Sequence, residues 1–209
     1  MKVTNNVYAL DCTKGAYAYL IRAEETVLVD TGFPGKGPAI LKELQSLGVA
    51  PEALKHILLT HHDLDHIGNA VWLQRATGAR LWASAADLPY MQGELPRPGL
   101  KRYLAALVRL NRPQTIQAFV PEGRVAGITV LAAPGHTPGH VCLLFEEVLL
   151  VGDLVENRGG RLKPLGALMT WDAAILRESI RRIARLPHAW ICPAHGSPVP
   201  RGDQWQALL

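Results

Sequence analysis

Thr60-His61-His62-Asp63-Leu64-Asp65-His66-Ile67-Gly68 is the stretch from which the fold and the chemistry of this chain can be read outward. It follows His56–Leu59, an apolar run that reads as a buried strand, and it leads into Ile67–Ala76, whose apolar spacing predicts a helix ending near Gly78. In an extended segment, side chains alternate in direction, so residues 61, 63 and 65 share one side, and His66 joins them where the chain turns into the helix. Imidazoles and carboxylates so converged are not satisfied by hydrogen bonds alone. Neighbouring carboxylates repel unless a cation lies between them. The expectation is a metal site at a strand end.

Three other polar groups share this context. Ala132-Ala133-Pro134-Gly135 leads to His136, Leu149-Leu150-Val151-Gly152 leads to Asp153, and Ile191-Cys192-Pro193-Ala194 leads to His195. A strand end is rigidly held yet open to solvent, which a reactive site requires. Around these points, Val7–Leu10, Ala16–Ala23, Thr26–Val29, Arg80–Ala83, Ile128–Ala133, Val141–Phe145, Val148–Val151 and Ala189–Cys192 read as strands, and Pro38–Leu47 and Asp172–Leu186 as helices. Two halves, each of strands followed by helices, predict an α+β sandwich of two sheets with helices outside. Residues 1–209 are taken as one domain, with the Pro- and Arg-rich stretch 88–121 as a lid-like insertion. That stretch carries a helical pattern over Leu100–Leu110 and is too short to bury a core of its own. Its Tyr90, Met91 and Tyr103 suit either an apolar pocket or the packing of the lid.

Composition narrows the classes. With 48% hydrophobic and 19% charged residues, the chain has material for a sizeable core and is not a disordered segment. The net charge of +4 is mild, and the arginines of 177–185 fall opposite Ile175, Leu176, Ile180, Ile183 and Ala184, as on the wet face of an amphipathic helix. Nucleic acid is therefore not the expected partner; a small-molecule substrate is. Cys12, Cys142 and Cys192 form no C-x-x-C pair and read as buried apolar residues of a reducing compartment. No signal-peptide pattern opens the chain and no apolar run approaches the roughly 18 residues of a membrane span, so a cytoplasmic, membrane-free location is expected. The run Gly32–Gly37 lacks the spacing of a phosphate loop and reads as a turn.

Taken in order, Asp30-Thr31-Gly32, Thr60-His61 to Asp65-His66, Gly135-His136-Thr137-Pro138-Gly139-His140, Gly152-Asp153 and Ala194-His195-Gly196 resemble the motif series of the metallo-β-lactamase superfamily over nearly the whole chain. The resemblance implies a four-layer αβ/βα sandwich with two divalent metal ions at one edge of the sheets. It implies His61 and His136 as ligands of a first ion, Asp65, His66 and His195 as ligands of a second, and Asp153 as the carboxylate shared by both. Asp30 corresponds to a residue that supports the site from behind. His140 would pack or hydrogen-bond near the site, and His56 and His188, which precede apolar strands, are expected to be structural or exposed.

The departure from the family pattern is Asp63, where a histidine is usual. Asp63 is preferred over His62 as a ligand, because adjacent residues of an extended chain point apart. An added oxygen donor makes iron or manganese more plausible beside zinc. The resemblance also implies the reaction. Two cations lower the pKa of a shared water from about 15.7 towards 7, and the resulting hydroxide, oriented by Asp65, would cleave a small ester, thioester or lactone as glyoxalase II-like and lactonase-like members do. Asp63 raises a second expectation, an iron-dependent oxygenase of the persulfide dioxygenase type. A phosphodiesterase is the third.

Overall fold

The computed structural model describes residues 1–97, 112–113, 115–120 and 122–209. Two six-stranded sheets form its frame. The first has the order β1 (Val7–Ala9), β2 (Tyr19–Arg22), β3 (Thr26–Val29), β4 (Leu54–Leu58), β5 (Arg80–Ala83) and β6 (Gln117–Ala118). β1 to β3 form an antiparallel meander, and β3 to β6 run parallel. The second sheet contains β7 (Arg124–Val125), β8 (Ile128–Ala132), β9 (Val141–Phe145) and β10 (Val148–Gly152), with β10 followed laterally by β13 (Trp190–Pro193) and β14 (Val199–Pro200). Among the described residues, only the β10–β13 pairing in this sheet is parallel. A separate ribbon pairs β11 (Glu156–Arg158) with β12 (Arg161–Lys163).

Alternation along the strands sorts the apolar residues into three layers. Between the sheets, Tyr19, Ile21, Val27, Val29 and Leu58 meet Val130, Val141, Leu143, Phe145, Leu150 and Cys192. The intervening residues Leu20, Leu28, Ile57 and Leu59 face outward and are covered by Ile40 and Leu44 of α1 (Gly37–Ser46) and by Ala70 and Leu73 of α3 (Ala70–Thr77). On the other side, Cys142, Leu149, Val151 and Ile191 are covered by Leu176, Ile180 and Ile183 of the helix Ala173–Ala184, whose Asp172 caps it by accepting the Ala174 and Ile175 N–H groups. The order helix, sheet, sheet, helix is the expected αβ/βα sandwich. The strands read as continuous apolar runs because both faces are buried.

Some local expectations change. The chain does not remain extended to residue 65: a one-turn helix, α2 (Leu64–Ile67), starts immediately after Asp63, so Asp65 and His66 project from a helical turn. Cys12 lies in a 3-10 turn, half-buried, and not on a strand; Glu43 accepts the backbone N–H groups of Asp11 and Cys12, and burial with that carboxylate pushes the thiol up to about 12. Within 88–121, α4 (Leu88–Gln92) places Met91 in the outer core, and the chain beyond β6 places Phe119 between the sheets. The helix expected over Leu100–Leu110, with Tyr103, lies outside the described residues. The amphipathic helix over the 177–185 arginines is α5 (Ala173–Ala184). His56 and His188 are buried and bonded to tryptophans, Trp82 Nε1–H donating to His56 Nδ1 at 2.9 Å and Trp205 Nε1–H to His188 Nε2 at 3.0 Å. Among the described residues no helix is long and apolar enough to cross a membrane.

Candidate metal centre

Four strand ends open on one edge of the sandwich, and backbone bonds lock them together. Val141 N–H donates to the Thr60 carbonyl at 2.9 Å and Tyr17 N–H to the Ala194 carbonyl at 2.8 Å, joining the sheets next to His61 and His195. Two glycines permit the close approach. A Cβ on Gly152, which holds φ +50°, would lie 2.8 Å from His140 Nε2, and one on Gly135, at φ +132°, would lie 2.3 Å from the Leu176 backbone.

Two groups of donors result. His61, Asp63, His136 and Asp153 can present ligand atoms that all lie within 4.8 Å of one another, and so can Asp65, His66 and His195. His136 Nε2 is 3.0 Å from Asp63 Oδ2, and His61 Nε2 is 3.4 Å from the same oxygen. Asp153 stands between the groups: its Oδ2 is 3.4 Å from His136 Nε2 and 3.3 Å from His195 Nε2, while its Oδ1 is 3.2 Å from His66 Nε2. His195 Nε2 is also 3.3 Å from Asp65 Oδ2. His62 turns away from this centre, stacked on Tyr90 with ring centroids 4.7 Å apart and with Nδ1 3.0 Å from Asp87 Oδ2. His61, Asp63, Asp65, His66, His136, Asp153 and His195 therefore face one another here, and at positions 62 and 63 it is the carboxylate that faces inward.

Supporting bonds fix which nitrogen of the His66 and His195 rings faces the centre. Asp30 is held at φ +57°, a conformation uncommon outside glycine. Its Oδ1 accepts Thr60 N–H and its Oδ2 the Thr60 hydroxyl, each at 2.8 Å, and Oδ2 also lies 2.8 Å from His66 Nδ1. His66 Nδ1–H therefore donates to Asp30, which leaves Nε2 as the nitrogen that faces Asp153. The Gly15 carbonyl, 2.6 Å from His195 Nδ1, likewise leaves Nε2 of that ring facing the centre. His140 Nε2 accepts the Asp153 N–H at 3.0 Å, and burial with the nearby His136 pulls its pKa down to about 3, so it serves as a neutral acceptor.

The electrostatics call for cations. Burial opposes charge on Asp153, yet His66, His195 and His136 hold it well below the usual carboxylate range. Burial likewise opposes charge on His66, but the carboxylates of Asp153, Asp30 and Asp65 hold it well above the imidazole value, while burial and the neighbouring His66 push His61 well below it. Against burial, bonds to Asp153 and Asp65 raise His195 to about 10. Three carboxylates thus draw positive charge into a buried space. The inward Nε2 atoms of His61 and His66 and Asp153 Oδ1 are buried without an aligned hydrogen bond among the described residues. Imidazole nitrogens and carboxylate oxygens in this arrangement fit divalent transition metals.

Sequence reading did not single out Asp87, Thr60, Tyr90 in its place beside His62, the Gly15 carbonyl or Arg97. Arg97 donates from Nη2 and Nε to the His62 carbonyl at 2.9 and 3.2 Å. Thr60 was visible as the residue before His61; the others, Tyr90 on α4 and the rest in loops, are distant in sequence and carry no local pattern.

Two mixed sheets flanked by helices, with a paired His/Asp centre at their strand ends, define the class to which the motif order points. The chain belongs to the metallo-β-lactamase superfamily, whose family model matches residues 14–195. It is 34% identical over 193 residues to a hydroxyacylglutathione hydrolase of Cereibacter sphaeroides (strain ATCC 17023), the match covering 88% of this chain and 64% of that protein. It is 32% identical over 186 residues to metallo-beta-lactamase domain-containing protein 1 of Xenopus laevis, covering 86% of this chain and 70% of that one. The first such hydroxyacylglutathione hydrolases extend beyond the match, which spans 61 to 64% of their length. The structure is similar to TTHA1623 in a di-iron-bound form, with a TM-score of 0.72 and 28% identity over 88% of this chain and 89% of that one. It shares its fold with an archaeal metallo-β-lactamase superfamily protein of Sulfolobus tokodaii, with a TM-score of 0.76 and 20% identity over 98% and 85% of the two chains.

Proposed function

We propose that the chain is a two-metal hydrolase of small thioesters, with esters and lactones as related substrates. The observation that carries this reading is the pair of donor groups sharing Asp153 at an open edge of the sandwich. His61, Asp63 and His136 would hold one ion, Asp65, His66 and His195 the other, and Asp153 both. Zinc suits the imidazoles, and the oxygen donor Asp63 extends the choice to iron or manganese. Bound divalent ions supply Lewis acidity and an acidified water.

The chain's own residues supply the rest. Asp30 and the Gly15 carbonyl keep the Nε2 atoms of His66 and His195 directed inward. Asp65, less buried than Asp63 or Asp153, presents Oδ2 beside His195 and would orient the attacking water through that oxygen. The strand ends and the α2 turn would hold these groups in place, which is what makes fixed dipoles and charges effective at a developing oxyanion. The thioester preference rests on the hydroxyacylglutathione hydrolases among the relatives. The test is turnover of a hydroxyacylglutathione thioester, a lactone and a phosphodiester by protein loaded with zinc, manganese or iron. Preferential thioester cleavage is expected. Phosphodiester cleavage alone, or no hydrolysis with any metal, would overturn the reading.

Asp63 and the likeness to a di-iron-bound structure favour a second reading, an iron-dependent oxygenase. Oxygen uptake by iron-loaded protein with a persulfide, without thioester cleavage, would establish it in place of the first.

A further inference from the structure

The side chain of Asp87 is fully buried just before α4, where an aspartate ordinarily caps the helix it precedes. It makes no such cap. It reaches instead across two ligand-bearing loops: Oδ2 accepts the His62 N–H at 3.0 Å and the Thr137 hydroxyl at 2.9 Å, and Oδ1 accepts the Gly139 N–H at 2.7 Å. His62 Nδ1 is 3.0 Å from the same Oδ2. A Cβ on Gly139 would lie 2.7 Å from Asp87 Oδ1, so this close approach requires glycine. A buried carboxylate is costly unless its oxygens are fully bonded, and here the bonds come from the neighbours of the donor residues. His62 lies between His61 and Asp63, Thr137 follows His136, and Gly139 precedes His140, which accepts the Asp153 N–H.

We propose that Asp87 is a positioning residue for the first donor group, a clamp that holds the 61–63 loop against the 136–140 loop at the spacing one ion requires. This rests on the reading of His61, Asp63, His136 and Asp153 as a metal site. The second group is not clamped this way: Asp65 and His66 sit on α2 and His195 follows β13, and among the described residues none of their supporting bonds goes to Asp87. Asparagine at 87 cannot substitute, because its amide nitrogen would face an N–H or O–H donor in place of an acceptor.

The test is titration of metal-free protein with cobalt(II), following the visible absorption, with chelator competition to resolve the two affinities. Wild type, Asp87→Asn, Thr137→Val and Thr137→Ser are compared, each with its metal-free thermal unfolding midpoint. Asp87→Asn is expected to weaken one ion by ~10- to 100-fold, the scale for residues behind a ligand, and the other less than about twofold. Thr137→Val, which removes one donor to the clamp, moves the same ion in the same direction by less, and Thr137→Ser restores wild-type affinity. Should Asp87→Asn fail to fold, the Thr137 pair decides. Equal weakening of both ions, or a lowered unfolding midpoint with both affinities intact, would overturn the clamp while leaving the metal site standing. Wild type that binds no cobalt would overturn both.

Discussion

The two donor groups share a carboxylate but are built differently. The side chains of His61, Asp63, His136 and Asp153 are at most 8% exposed, and their loops are tied by Asp87 and by the Val141–Thr60 backbone bond. In the other group, His66 is buried against Asp30, but Asp65 and His195 retain 19% and 24% exposure. The first group is a closed holder with its unusual oxygen donor deep inside. The second is open, and a substrate would enter on that side. On the proposed function, the first group would select the metal and the second would expose the reacting water.

Removing the shared residue tests the contrast at its root. Asp153→Ala is expected to strip metal from both groups and slow hydrolysis by ~10³-fold, the scale of losing a principal electrostatic stabiliser. Metal analysis with steady-state kinetics checks this, and a variant retaining one full equivalent would show that the groups do not share it. Asp30→Asn is smaller and unequal. It removes the acceptor of His66 Nδ1–H and is expected to weaken the open group's ion by ~10- to 100-fold, and the closed group's ion, which Asp30 reaches only through the Thr60 hydroxyl beside His61 Nδ1, by less. Chelator competition reads the difference. Asp63→His exchanges an oxygen donor for nitrogen in the closed group alone, so the metal recovered from cells shifts toward zinc while total metal stays near two equivalents. Unchanged metal content and identity would remove Asp63 from the ligand set.

How much of this was legible from sequence depends on where the information lay. Every apolar run that ends in a donor is a strand, because β4, β8, β10 and β13 place most of their residues against a core on one face or the other and so read as largely apolar runs. His61, His66, His136, Asp153 and His195 stood out because each follows such a run directly or within a few residues. The path between Asp63 and Asp65 was read as extended and is helical, since a one-turn helix has too few residues to show a period. Asp87 was missed for another reason. It sits at a helix start, where aspartate is ordinary, and only the tertiary approach of Gly139 and Thr137 shows what it does.

The smallest expected effect lies away from both groups and calibrates the scaffold. His188 is buried, its Nδ1–H faces the Leu186 carbonyl at 2.7 Å, and burial holds its pKa below the ordinary value. A histidine whose folded pKa is depressed contributes fully above the unfolded value of about 6.5; its contribution falls as pH drops below that, because the unfolded chain takes up the proton first. Stability of metal-free protein should therefore decline more steeply between about pH 6.5 and 5 than that of His188→Gln, which keeps an acceptor for Trp205 but cannot titrate. Denaturant midpoints at each pH give the comparison. Identical slopes would mean that the fold does not depress the pKa of His188.

The central claim is that one carboxylate joins two unlike metal sites. Crystals of protein purified without chelator, with anomalous scattering measured above and below the zinc, iron and manganese edges, test it most directly. The expected map has two peaks, one among His61, Asp63, His136 and Asp153 and one among Asp65, His66, His195 and Asp153. A single peak, or ions bound away from Asp153 in metal-replete crystals, would contradict it.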